Sequence, residues 1–140
     1  MRRAFARSAA RQVLVLALAL LPAAGPAGAA ELKITAQEAA QHAGEQAKVC
    51  GLVAGAKYAE RSRGKPTFLD FERSHPAEVF KAVIWGADRG KFKQPPETTY
   101  DQQQVCVTGR IELYHGVPEI IVRSPSQLAI APGHTAKPGT

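Results

Sequence analysis

Val105-Cys106-Val107-Thr108-Gly109-Arg110-Ile111-Glu112-Leu113-Tyr114-His115-Gly116-Val117-Pro118-Glu119-Ile120-Ile121 is the stretch whose reading decides the fold. Val105, Val107, Gly109, Ile111 and Leu113 alternate with Cys106, Thr108, Arg110 and Glu112, the period of two of a strand with one buried face. Tyr114-His115-Gly116 interrupts the run, and Glu119 to Val122 resumes it with β-branched residues. Two such runs around a short Gly-containing turn read as a β-hairpin. Gly109 falls on the inward side in mid-strand, where a missing side chain permits a bend or bulge. Strand, kink, strand, turn and short strand is how a small closed barrel ends its chain.

The residues before this hairpin supply three more strands. From Gln46 to Tyr58, Val49, Gly51 and Val53 point one way and Cys50 and Leu52 the other. Thr67 to Phe71 and Val79 to Trp85 are short runs of good strand formers. Glu60 to Pro66 is polar, basic and Gly-containing, an exposed hairpin loop, and Glu72 to Pro76 is a turn. Gly86 to Gln104 lacks alternation and carries Asp88, Gly90, Pro95 and Pro96, so it reads as a long connection with at most a short helix. Ahead of the strands, Thr35-Ala36-Gln37-Glu38 is a capping box, with Ile34 and Ala39 as its apolar staple. It opens a helix over Ala36–Ala43 that stops at Gly44. Five short strands, with glycines at bend positions in the first and fourth, predict an all-β chain with a short N-terminal helix: a five-stranded Greek-key barrel of the OB type over residues 31–130.

The ends of the chain are read separately. Arg2, Arg3, Arg7 and Arg11, the uncharged Val13–Leu21 and the small residues up to Ala30 make residues 1–30 a secretory signal peptide, too short in its apolar part to span a bilayer. Ala131 to Thr140 is a Pro/Gly/Thr-rich tail expected to be disordered. The whole chain carries 18 Lys+Arg and 12 Asp+Glu, a net charge of +6. Four of the arginines lie in the first thirty residues and no acid does, which leaves 14 against 12, a mature net charge of +2. Global attraction to phosphate is therefore weak. The two cysteines are Cys50 and Cys106. In an exported chain the expectation is one disulfide; a metal pair or a catalytic thiol would need further ligands or a neighbouring base. Both cysteines point away from the valine side of two strands that pair in such a barrel, so a cross-strand bond follows.

Gly44, Val49-Cys50-Gly51, Thr67-Phe68-Leu69-Asp70-Phe71, Phe80 to Gly86, Phe92, Tyr100, Val105 to Gly109, Tyr114 to Ile120 and Ser124-Pro125-Ser126-Gln127-Leu128 together carry a resemblance. Over about residues 34 to 130 the chain resembles the exported bacterial OB-fold domains of the tRNA-anticodon-binding-like superfamily, modules found alone and beside extracellular nuclease domains. The resemblance implies an OB barrel, a nucleic-acid-binding role and no catalytic residues, since the nuclease chemistry resides in the partner domain.

No enzyme is expected. His42, His75, His115 and His134 are scattered, and there is no His-x-x-x-His, Cys-x-x-Cys, Gly-x-Ser-x-Gly or phosphate-cradling loop. No metal or cofactor is called for. Binding has better residues. Strand parity puts Val79, Lys81, Val83 and Trp85 outward with Phe68 and Asp70, and Phe80, Ala82, Ile84, Leu69 and Phe71 inward. OB barrels bind single strands and oligosaccharides on the outer face of their second and third strands, flanked by the first–second and fourth–fifth loops. The expected nucleic-acid-binding set is Phe68 and Trp85 as stacking rings, Lys81 between them, Lys57 and Tyr58 leading into a loop with Arg61, Arg63 and Lys65, and Tyr114 and His115 at the opposite loop tip. Arg89, Lys91 and Lys93 around Phe92 form a second basic cluster, while Asp70 and Glu72 oppose phosphate. The competing structural readings make Trp85 and Phe92 core anchors of the long connection, the 61–65 cluster a solvated loop, Tyr114 a barrel-end tyrosine and His115 a turn residue. The function expected is that of an exported, periplasmic or extracellular monomer binding single-stranded nucleic acid or a similar anionic polymer. An envelope module binding protein or glycan is the alternative, and a latent hydrolase a third.

Overall fold

The structure, a computed structural model, describes residue 25 and residues 30–132. The expected signal peptide and C-terminal tail lie almost wholly outside the described residues. What is described is all-β. Its strands are β1 (Lys33–Thr35), β2 (Gln46–Tyr58), β3 (Thr67–Phe71), β4 (Phe80–Ile84), β5 (Gln104–Arg110), β6 (Glu112–Tyr114), β7 (Val117–Ile121) and β8 (Leu128–Ile130). The hydrogen-bonded order is β6-β7-β4-β3-β2-β5-β8, with β1 parallel to β2. Among the described residues no helix is long and apolar enough to cross a membrane.

Strand β2 serves two antiparallel neighbours in succession. The first half of β2 pairs with β5 from Gln46↔Arg110 to Leu52↔Gln104, and its second half pairs with β3 from Val53↔Phe71 to Tyr58↔Thr67. The change falls at a register shift between Val53 and Gly55. A Cβ on Gly55 would lie 3.0 Å from Ser74 Oγ, which donates to the Ala54 carbonyl at 3.1 Å, so the strand bends where a side chain would not fit. The stretch read as one fourth strand is likewise split. At the break between β5 and β6, Ile111 donates its N–H to the Glu45 carbonyl at 2.9 Å and its own carbonyl accepts from the Gly44 N–H at 2.7 Å. Gly109, just before the break, is buried because a Cβ there would come within 2.5 Å of Ile120 Cγ2. Its need is for close approach, not for an unusual backbone angle.

Alternation then fills one side. Val49, Val53, Leu69, Phe71, Phe80, Ala82, Ile84, Val105, Val107, Ile111, Ile120 and Val122 form a single core, in which Phe71 and Phe80 meet edge to face at 5.0 Å. Cys50 and Cys106 are direct register partners on the other side of β2 and β5 and form a disulfide.

Several expectations need correction. The N-terminal helix is a 3-10 segment over Ala36–His42. Its apolar residues Ala36 and Ala39 are three apart and both fully buried, and a three-residue turn stacks them directly above one another where an α-turn would offset them by about 60°. The capping interaction is present: the Glu38 carboxylate accepts from the Thr35 N–H and hydroxyl, both at 2.8 Å, and Gly44 is left-handed (φ 88°). The lead-in Lys33–Thr35 and the segment Leu128–Ile130 are strands, each too short to show a period but each supplying one buried residue, Ile34 and Leu128. β4 begins at Phe80 and ends at Ile84; Val79 packs against the core, so it is not outward. The long connection holds two single-turn helices, α1 (Gly86–Arg89) and α2 (Pro96–Thr99).

Candidate functional site

The outer face of β3 and β4 is organised by register into two rows. Lys57, Phe68, Val83 and Ile121 are successive partners across β2, β3, β4 and β7. One step along, Asp70, Lys81, Glu119 and Glu112 are successive partners across β3, β4, β7 and β6. The first row is apolar apart from its end and the second is charged throughout. Where they meet the β2–β3 loop, a cleft of about 300 Å³ opens, lined by Arg63, Pro66, Phe68, Trp85, Tyr114 and Glu119 together with Ser62, Lys81 and Val83.

Trp85 is 41% exposed and its position has a clear cause. Gly64 is left-handed (φ 78°), and a Cβ there would lie 2.9 Å from the Trp85 ring. The bare Gly64 backbone therefore backs one face of the indole, and Gly86 N donates to the Gly64 carbonyl at 2.9 Å, fixing the loop to the strand end. Trp85 packs under the β2–β3 loop and not under the long connection. Tyr114, 63% exposed, comes from the other hairpin, and Phe68 joins them in the cleft from β3.

Of the ten residues expected from sequence, the cleft gathers Arg63, Phe68, Lys81, Trp85 and Tyr114. Lys57 lies on the same face but in a neighbouring hollow of about 240 Å³, beyond Phe68 and Lys81. Arg61 and Lys65 are exposed on the loop without lining the cleft. Tyr58 ends β2 at the loop as expected but does not line the cleft: it pairs with the buried Thr67 on the opposite side of the sheet, and the Arg89 guanidinium covers its ring at 3.8 Å. His115 is a turn residue with φ 49° that stacks edge-on against Tyr114, outside the cleft. Two cations of the second basic cluster, Arg89 and Lys91, are tied into the scaffold, and Lys93 is exposed. Arg89 makes a two-pronged bond to Glu97 (2.6 and 2.8 Å) and donates to Thr67 at 2.7 Å, Lys91 bonds Asp88, and Phe92 packs on the core beside Tyr100. Glu72 is off the face too, because its carboxylate accepts from the Leu52 N–H on β2.

Lys81 is the largest revision. Its ammonium stands 4.9 Å over the Phe68 ring, 2.8 Å from Glu78 and 4.0 Å from Asp70. Its side chain is only 17% exposed, so it is the counter-ion of two buried acids more than a hand held out to phosphate. Burial pushes Asp70 above the usual carboxylate range, with Lys81 pulling against it and Glu78 adding to it. Burial works the same way on Glu78, but hydrogen bonds from Lys81 and His75 outweigh it and hold that carboxyl at about 2. Burial also raises Glu119, opposed by Lys81 and helped by Glu112. The cleft thus has aromatic walls, one exposed cation (Arg63) and a half-buried acid (Glu119).

No protein-family model and no curated protein matches the chain. Among solved structures it is similar to a crystal structure of a protein assigned as an aspartyl-tRNA synthetase from Leishmania major Friedlin. The match has a TM-score of 0.42 and 13% identity over 74% of this chain, which spans 22% of that one. A likeness of that size is too slight to decide fold or function.

Glu78 and Glu119 were not picked out by the sequence reading. Glu119 was within reach of it: once the last strand is paired beside β4, its parity matches that of Lys81. Glu78 was not, because it precedes β4 and reaches Lys81 at a spacing of three, which no strand period announces. Among the described residues no group of three His, Cys, Asp or Glu converges as a metal site.

Proposed function

We propose that this chain is an exported OB-type binding protein, without catalysis of its own, whose cleft takes the bases of single-stranded nucleic acid. The barrel reading is supported by pairing: β6 follows β5 across Ile111 alone, β6 pairs with β7, β7 lies parallel to β4, and β5 pairs with β2. Those partners join the two ends of a β2-β3-β4-β7 sheet through one continuous stretch of chain. Export is supported by the leader-like N-terminus and by the Cys50–Cys106 bond, a type of bond that persists in oxidising compartments.

The observation that carries the ligand reading is the convergence of Phe68, Trp85 and Tyr114 on one cleft from three separate elements. Trp85, backed by glycine, and Tyr114 are exposed enough to take flat ligands from solvent, while Phe68 lies under the Lys81 ammonium and forms the apolar floor. Base–aromatic stacking is worth ~1–3 kcal/mol per base and tolerates any sequence. The phosphates would follow the β2–β3 loop, where Arg61, Arg63 and Lys65 are exposed, and keep clear of the acids on β3 and β7. With about three phosphates neutralised, log K should fall against log salt with a slope of about −2.

Trp85→Ala should weaken oligonucleotide binding by roughly tenfold or more while the thermal melt moves little, since the indole lies outside the core cluster. Fluorescence anisotropy and a melt on the same sample check both. A second reading has its own observation. Asp70, Glu78 and Glu119 crowd Lys81, which suits an uncharged glycan or a protein segment better than a polyanion. Binding that ignores salt, or no oligonucleotide binding at low salt, would favour that reading.

A further inference from the structure

We infer that Glu119 reads the edge of the base held in the cleft, so that the site prefers bases carrying an amino group (cytosine, adenine, guanine) to thymine and uracil. This rests on the nucleic-acid reading above and goes further, to the chemistry that selects among bases.

Glu119 lines the cleft with Phe68, Trp85 and Tyr114. It is the register partner of Lys81, yet Lys81 turns its ammonium to Glu78 at 2.8 Å. Its other register partner is Glu112, a like charge. Glu119 is half-buried, and burial is the main influence on its carboxyl, with no hydrogen bond offsetting it. A partly buried carboxylate with no donor among the described residues gains from any group that supplies an N–H.

A flat ligand stacked on Trp85 or Tyr114 would occupy the cleft that Glu119 also lines, so its edge groups and the carboxylate would share one small space. An ionised carboxylate only accepts. Cytosine and adenine present exocyclic amino groups, and guanine presents an amino group beside a ring N–H. Thymine sets carbonyl oxygens on both sides of its single N–H, and these repel a carboxylate. Carboxylate-to-amino pairing is a known base-reading contact, worth ~1–3 kcal/mol of discrimination.

The test is an anisotropy titration of the full chain with labelled oligodeoxycytidylate and oligothymidylate of about twelve nucleotides, within the span one OB fold covers. The cytidylate should bind roughly tenfold more tightly. Glu119→Gln should bring the two affinities close together, because the amide can donate to a thymine carbonyl as well as accept. Glu112→Gln, an exposed neighbour outside the cleft, should leave the ratio in place. Melts of both variants confirm folding. If both tracts bind equally and Trp85→Ala weakens both, the nucleic-acid reading stands and the role of Glu119 is overturned. A cytidylate preference that survives in Glu119→Gln overturns it as well. If neither tract binds at low salt, the nucleic-acid reading fails and the inference falls with it.

Discussion

Replacing Lys81 by alanine should destabilise the folded chain by about 3–5 kcal/mol at neutral pH, because it strands two buried acids. Asp70 and Glu78 keep side-chain exposures of 7% and 2%, and Lys81 is the cation beside both. Asp70 Oδ1 and Glu78 Oε2 already lack hydrogen-bond partners among the described residues, and without Lys81 the neutralising charge beside both is gone, leaving Glu78 the His75 ring at 3.1 Å. The pH dependence gives the effect a signature. Glu78 is held at about 2 in the folded state against an ordinary value of 4.5, so its ionised form favours folding. That stabilisation, about 3 kcal/mol, is complete above 4.5 and is lost as pH falls towards 2. Asp70 and Glu119, both raised, act in the opposite sense and lose stability as pH rises through the carboxylate range, which blunts the net change. The gap between wild type and Lys81→Ala should therefore be widest near neutrality and close as pH falls towards 2. Lys81→Met keeps the stem over Phe68 and should show nearly the same loss. Urea unfolding at several pH values measures it, and a Lys81→Met variant as stable as wild type at pH 7 would contradict the charge argument.

Removing the disulfide should have a comparable effect by a different route. Cys50 and Cys106 are 56 residues apart, and opening a loop of that length should lower stability by about 4 kcal/mol on chain-entropy grounds, with folded-state strain reducing the figure. The paired Cys50→Ala and Cys106→Ala variant should melt roughly 20 °C lower. Both cysteines point away from the core, so the valines at 49, 105 and 107 should stay packed and the fold should survive at low temperature. A variant that loses its sheet spectrum even in the cold would mean that the cysteines help build the β2–β5 pairing instead of bracing it.

These two cases show what the sequence could and could not reveal. The cysteine pairing was legible because parity along two strands with a shared neighbour determines which side chains face each other, and Cys50 and Cys106 prove to be direct partners. The same parity put Phe68 and Trp85 on the outer face correctly. Tyr58, named only as leading into the β2–β3 loop, could not be given a face this way, because the bend between Val53 and Gly55 resets the register on which the face depends. Parity also failed to give Lys81 its role, since Glu78 reaches it from outside any strand. The shape of Ala36–His42 was hidden because capping chemistry marks where a helical segment starts but not whether it winds with three residues per turn or 3.6. The division of basic residues between loop and scaffold was illegible for a similar reason: Arg89 meets Glu97 only after the connection has folded back on itself.

Trp85 is the chain's single tryptophan, so its intrinsic fluorescence reports on the cleft alone. Titrating the full chain with a single-stranded oligonucleotide of about twelve nucleotides at low ionic strength should quench that emission saturably, with the midpoint moving to higher oligonucleotide as salt is added. Emission that stays unchanged through the titration, in protein shown to be folded, would contradict the assignment of this cleft to nucleic-acid bases.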